Sequence, residues 1–241
     1  MENNKEALEY LVGLGTEKEP IIQLEQGTFS TVSLQRVKEP KAVAVVVSTL
    51  TGLVDYIKSN IDGLAGEYEK LLIQVKSPDE VKLYGPLNVD REREQFISAE
   101  AILPNNVVYE RFLDVERFNI MLQSSFVEND DKKILLKYTG LVQDDAVKST
   151  GDDGVSQQVT IKTGVASLGQ AVVPNPVTLA PYRTFPEVTQ PESKFIFRMQ
   201  KGPSAALYEA DGGAWRNTAI LSIKEYLQEQ LKEIENIEII A

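Results

Sequence analysis

Neither cysteine nor histidine occurs in this chain. Without cysteine there are no disulfides, thiolate metal sites or cysteine nucleophiles. Without histidine the usual general base near neutral pH, the commonest metal ligand and every Ser-His triad are gone. Catalysis would have to run on carboxylates with a hard metal, or on Lys or Tyr chemistry. Long apolar runs are also missing: the longest, Ala42 to Val47, falls far short of the roughly 20 residues of a membrane span. The first residues, Met1 to Lys5, lack a basic segment followed by an apolar one, so no secretory signal is expected. Together these absences point to a cytoplasm. Positive charge is in deficit as well, with 25 Lys and Arg against 36 Asp and Glu and a net charge of −11. That argues against non-specific nucleic-acid binding, which depends on cations displacing the counterions of the phosphates. Mimicry of DNA would want dense carboxylate arrays, whereas these acids are interspersed with Lys and Arg.

What is present is the composition of an ordinary globular chain, 42% hydrophobic and 25% charged over 241 residues, enough to bury a real core. The reading is a single α+β domain over 1–241, with a weak subdivision near 148–154. It predicts a largely antiparallel sheet with helices packed on it, including N-terminal and C-terminal helices. Asn4 to Leu14 reads as a short helix. Ile21 to Leu24 and Phe29 to Leu34 flank Gln26-Gly27 as a hairpin. Ala42 to Val47 is a β-branched run with no polar interruption, which suits a strand covered on both faces. Ser48 or Thr49 then caps a helix with Leu50, Leu53, Val54 and Ile57 on one stripe. A strand entering a helix can bind phosphate, but the glycine-rich turn that lets a backbone approach one is absent here.

Leu71 to Val75 and Val81 to Tyr84 read as strands around the Ser77-Pro78-Asp79 turn, and Gln95 to Leu103 as another. Asp90 to Glu94 is a charged, exposed lead-in. Asp114 caps a helix with Val115, Phe118, Met121, Leu122 and Ser125 on one side, and Asn129-Asp130-Asp131 opens a second helix ending at Gly140. The paired acids suit the positive end of the helix dipole. Lys148 to Gly154 is small, polar and turn-rich, and reads as a mobile loop.

The densest signals lie between Asp152 and Leu227. Val155 to Val165 alternates with a period of two, marking a half-buried strand expected to pair antiparallel with its successors. Prolines 174, 176, 181, 186 and 191 cannot donate to a ladder, so their segments should run at a sheet edge or as irregular extended chain. Phe195 to Met199 and Ala205 to Glu209 are further strands. Ala219, Ile220, Ile223, Tyr226, Leu227 and Leu231 form a closing helix stripe. Tyr182-Arg183-Thr184-Phe185 sets a guanidinium between two aromatics. It could face a ligand, with Arg183 binding an anion or stacking on a base, or Arg183 could pair with Glu187 or Glu192 while the rings pack. Glu209 and Asp211 beside a glycine pair could share a divalent cation. The reading preferred here is that Asp211 caps the helix with the glycines at positive φ, and no metal is expected. Trp215, the only tryptophan, either anchors the helix or offers a binding surface. Tyr182, Arg183, Phe185 and Trp215 are thus the candidate ligand- or partner-binding residues, and Glu209 and Asp211 the candidate metal ligands.

The runs Val173-Pro174-Asn175-Pro176, Pro181 to Val188, Gln190 to Ser193, Phe195 to Arg198 and Glu209 to Trp215 resemble a family encoded by bacteriophages and prophages, whose enterobacterial relatives are of the YfdQ type. Leu50 to Ile57 is similar to the N-terminal part of that family. The resemblance implies a phage or prophage origin and the cytoplasm of a bacterial host, and it carries no assigned chemistry. Three readings follow. The first is a non-catalytic accessory or assembly protein acting through a protein partner or as a homo-oligomer, with no cofactor. The second is a counter-defence factor sequestering a host protein or nucleotide signal. The third is a carboxylate-metal enzyme.

Overall fold

The computed structural model describes residues 5–10, 21–24, 27–30, 41–67, 69–140, 147–152, 157–161, 173, 175–200 and 204–241. They belong to two compact units, Met1–Lys41 and Ala42–Ala241. In the first unit, residues 5–10 form helix α1, and strands β1 (Ile21–Leu24) and β2 (Gly27–Ser30) pair antiparallel, Ile21 opposite Ser30. The hairpin is as expected, with its second arm starting at Gly27. The rest of the expected helix, and residues 31–34 of that arm, lie outside the described residues.

The second unit opens with β3 (Val45–Val47), α2 (Leu50–Ser59) and the short α3 (Leu64–Glu67). Strands β4 (Leu71–Ser77), β5 (Glu80–Leu87) and β6 (Arg93–Glu100) follow as an antiparallel meander. Thr49 caps α2, its hydroxyl accepting from the Gly52 N–H at 3.0 Å. Leu50, Leu53, Val54 and Ile57 are the buried face of α2, the stripe that the 3.6-residue period predicts. Arg93 and Glu94, expected in an exposed lead-in, are already part of β6.

Strand β7 (Leu113–Asp114) leads into α4 (Val115–Ser125), which Asp114 caps by accepting from the Arg117 N–H. Helix α5 (Asp130–Gly140) begins at the two expected acids, and the Asp131 carboxylate also accepts from the Thr178 N–H at 2.7 Å. Strands β8 (Val147–Asp152) and β9 (Gln157–Ile161) pair antiparallel as a separate two-stranded sheet. Two expectations are corrected here. Most of the stretch read as a mobile loop, Lys148 to Gly154, is the strand β8. And β9 pairs with its predecessor, not its successors. The stretch's polar, turn-prone residues weaken strand propensity without forbidding a ladder, because the bonds are made by the backbone.

Strands β10 (Val177–Leu179), β11 (Ser193–Gln200) and β12 (Ser204–Glu209), helix α6 (Ala214–Gln230) and strand β13 (Ile237–Ile240) complete the unit. One sheet has the order β13-β4-β5-β6-β3, the other β10-β11-β12-β7. The second is antiparallel throughout, while β3 and β13 join the first in parallel to β6 and β4. The architecture is α+β, as predicted. Strand β10, between prolines, lies at a sheet edge, where a missing N–H costs no ladder bond.

Each sheet has its own apolar core. Ile73, Val81, Leu83 and Ile97 meet α2 and the Ile223 and Leu227 face of α6. Phe195, Phe197 and Leu207 meet Phe118, Leu122, Leu135 and Tyr138 of α4 and α5. Aromatic rings carry much of the second core: the Phe118 and Phe197 centroids stand 5.8 Å apart, those of Tyr138 and Phe197 6.2 Å, both within the range of favourable ring pairs. Among the described residues no helix is long and apolar enough to cross a membrane.

Candidate functional site

The proline-braced segment Pro181–Ser193, expected at a sheet edge or as irregular extended chain, is largely interior. Prolines 181, 186 and 191 leave gaps in any backbone ladder, and the side chain of Gln190 fills them. Its carbonyl oxygen accepts from the N–H groups of Arg183 (2.9 Å) and Thr184 (3.2 Å), and its amide donates to the carbonyls of Thr184 and Phe185. Gln190 is buried, so these bonds are made away from competing water.

The segment touches three other parts of the unit. At one end the Tyr182 N–H donates to the Ser125 carbonyl at the close of α4. In the middle the Thr184 hydroxyl donates to the Pro78 carbonyl in the β4–β5 turn. Beyond it the Glu187 carboxylate accepts from the Thr51 N–H (2.9 Å) and hydroxyl (3.0 Å). A carboxylate at this helix start satisfies a donor without an intrahelical partner and faces the positive end of the dipole. The position where a phosphate might bind is therefore taken by Glu187. Phe185, fully buried, and Val188 enter the core of the five-stranded sheet.

Arg183 is 8% exposed. One terminal nitrogen donates to the Glu209 carboxylate at 3.1 Å, the other to the Ser193 hydroxyl and the Pro191 carbonyl. Its guanidinium lies 3.9 Å from the centre of the Trp215 ring, and that of Arg216 lies 4.8 Å from the same ring. Burial pushes the Arg183 pKa below its ordinary value, against the opposing pull of Tyr109, Glu209 and Asp211. Tyr109 stacks on Phe195 at 5.5 Å. Burial drives its phenol up to about 12, with Arg183 opposing and Glu209 and Asp211 adding to the rise.

The four nominated binding residues thus separate. Arg183 and Trp215 meet face to face, Phe185 goes into a core, and Tyr182 is exposed. Arg183 takes neither Glu187 nor Glu192 as its partner. It takes Glu209, which the β11–β12 register sets opposite Phe195, a proximity made by strand pairing and invisible in local spacing. Glu209 and Asp211 both act on Arg183 and Tyr109, but they are bonded to different groups. The Asp211 carboxylate accepts from the N–H groups of Gly213 (3.0 Å) and Trp215 (3.3 Å), closing the entry to α6. Gly212 and Gly213 take φ of 62° and 80°, the left-handed turn that glycine enters without steric cost. Among the described residues no cluster of three or more acidic side chains is arranged to hold a metal ion.

A cleft of about 220 Å³ at the far end of α2 is lined by Ile57, Ile61, Leu64, Leu83, Tyr56 and Asp62 among others. The Tyr56 hydroxyl donates to Asp62 at 2.5 Å. Burial first, and the carboxylate second, hold that phenol above its usual range. The polar pair is mutually satisfied, and the rest of the lining is apolar apart from Lys58, Asn60 and Asn236.

The feature that departs most from expectation is β3. Ala42 to Val47 is expected to be a strand covered on both faces; only Val45–Val47 of it form β3, the outermost strand of its sheet, whose one ladder partner among the described residues is β6. Val43 is 94% exposed, Val45 44% and Val46 62%. A β-branched run records strand propensity, and propensity does not say how many neighbours a strand will have. Exposed apolar side chains stand here on a strand with one ladder neighbour among the described residues, a combination natural edge strands commonly avoid with charge, proline or a bulge. No protein-family model, curated protein or solved structure matches this chain.

Proposed function

We propose that this chain is a non-catalytic accessory or assembly protein of a bacteriophage or prophage, working in the cytoplasm of the bacterial host through contact with a protein partner or with itself. The observation that carries the reading is the apolar edge at β3, with one ladder neighbour among the described residues, Val45 and Val46 exposed, and Val43 exposed just before it. Such an edge is suited to strand addition, in which main-chain hydrogen bonds supply affinity and alternate side chains supply selectivity. The polar groups that a catalytic reading needs are engaged in holding the fold: Glu209 with Arg183, and Asp211 with the start of α6. The counter-defence reading relies on Arg183 to line a pocket, and that side chain already has protein acceptors on both terminal nitrogens. The phage setting comes from the sequence resemblance.

The test is cross-linking mass spectrometry on tagged protein from phage-infected cells, comparing the native chain with Val43→Lys. Cross-links from Lys41 or Lys58, which flank β3 and α2, that vanish in the variant are the expected result. The same links in both proteins would count against the edge as the working surface. Glu209→Ala with Asp211→Ala abolishing turnover of a substrate while the fold persists would end the non-catalytic reading.

A further inference from the structure

We infer that the cleft at the far end of α2 is a binding site for a small neutral molecule, an apolar body of roughly nine non-hydrogen atoms with one hydrogen-bonding end. A compact aromatic or branched alkyl alcohol is of that class. The site is separate from the β3 edge and goes beyond the function proposed above.

Size is the first reason. Folded cores are packed about as densely as organic crystals, with few voids larger than a water molecule, and an apolar void costs stability. A space of about 220 Å³ beside the core of the five-stranded sheet is outside that ordinary packing. A cavity of roughly 150 Å³ lined by aliphatic side chains holds benzene, and scaling by volume gives about nine non-hydrogen atoms here.

The walls are the second. Their lining comes from elements far apart in the chain: Ile57 on α2, Leu64 on α3, Leu71 on β4, Leu83 on β5 and Ile237 on β13. Leu64, Leu71 and Leu83 are buried and form the floor, while Lys58, Asn60, Ile61 and Asp62 are exposed and form the mouth. Backbone bonds hold both. Asn60 takes φ of 47° to end α2, its N–H donating to the Ile57 carbonyl at 3.2 Å and its carbonyl accepting from the Gly63 N–H at 3.0 Å. The Leu71 N–H donates to the carbonyl of Asn236, another lining residue, at 2.7 Å. The shape is thus set before a ligand arrives.

Charge selects the head group. Lys58 and Asp62 are the charged residues of the described lining, one of each sign. A charged head gains from one, loses to the other and must still shed its water, whereas a neutral hydroxyl or ring N–H avoids that cost. Asp62 is ready for such a donor. The Tyr56 hydroxyl donates to one of its oxygens at 2.5 Å, and the carboxylate keeps further acceptor capacity. Burial and Asp62 hold the Tyr56 phenol above its usual range, so it remains a donor and fixes the carboxylate.

The test is methyl NMR of the isoleucines on the full chain, titrated with benzyl alcohol, benzoate and benzylammonium, which share a ring and differ in head charge. Benzyl alcohol should give saturable shifts at Ile57, Ile234 and Ile237, with a Kd on the order of 1 mM or tighter. Both charged probes should bind at least about threefold more weakly. Ile234→Trp, at a half-buried lining position, fills the cleft and should abolish the shifts at Ile57 and Ile237. Asp62→Asn keeps the space and removes the acid, so benzoate should gain at least about threefold relative to benzyl alcohol. That second result stands whether or not Ile234→Trp folds. No saturable shift with any probe up to about 10 mM overturns the inference. A charged probe binding tightest overturns it too, as do shifts that persist in a folded Ile234→Trp, since the contact then lies elsewhere.

Discussion

Pro181–Ser193 and Ala42–Val47 exchange the places that their compositions suggest. The first, broken by prolines and carrying an arginine between aromatics, reads as a sheet edge or irregular extended chain. It lies inside, bonded to α4, to the β4–β5 turn and to α2. The second reads as a strand buried on both faces; its last three residues form an edge strand, with Val45 and Val46 exposed and Val47 against the core. Composition reports what a segment does locally: prolines forbid a ladder and valines favour one. Where the segment ends up depends on which distant groups can satisfy it. Gln190 and Glu187 anchor the prolines' segment, and nothing described covers the outer side of β3.

The largest expected effect tests the interior segment. Phe185→Ala removes a fully buried ring and should cost about 3–5 kcal/mol, read as a lower urea midpoint. A loss near zero would mean that the segment is not part of the core. Arg183→Met comes next. A buried ion pair broken on one side costs ~3–5 kcal/mol, and roughly 2–3 is expected here because Glu209 keeps partial contact with water. The emission of the single tryptophan should shift as well, since the guanidinium leaves its ring.

Tyr109, at the rim of the same cluster, supplies a pH test. Its folded pKa of about 12 lies above the unfolded phenol value of ~10, so the folded state holds the proton more tightly. That contribution to stability is fully present below pH ~10 and fades as pH rises through about 12. Melting temperature should fall over that window, and Tyr109→Phe should flatten part of the slope. The smallest expected effect is at the edge: Val46→Lys, at an exposed position, should change unfolding free energy by less than ~0.5 kcal/mol, read as an unchanged urea midpoint. Equal losses for Phe185→Ala and Val46→Lys would erase the contrast between the two regions.

Much of the fold was legible because it depends on local periodicity. The Leu50, Leu53, Val54 and Ile57 stripe, the Asp114 cap, the alternation of Phe195 to Met199 and the glycine turn before Trp215 all appear where their spacing puts them. Partners far apart in the chain were not legible. The Arg183–Glu209 pair depends on the β11–β12 register, and Glu187 reaches Thr51 across 136 positions. Strand β13 joins β4 in parallel after a helix, and a four-residue run with that neighbour leaves no mark in local pattern. The role of Gln190 follows only from knowing which N–H groups the prolines leave unserved.

Hydrogen exchange followed by mass spectrometry on the isolated chain tests the contrast most directly. The account predicts slow exchange at residues 183–190 and faster exchange at residues 43–47. Rapid exchange at 183–190, or equal protection of 43–47, would contradict it.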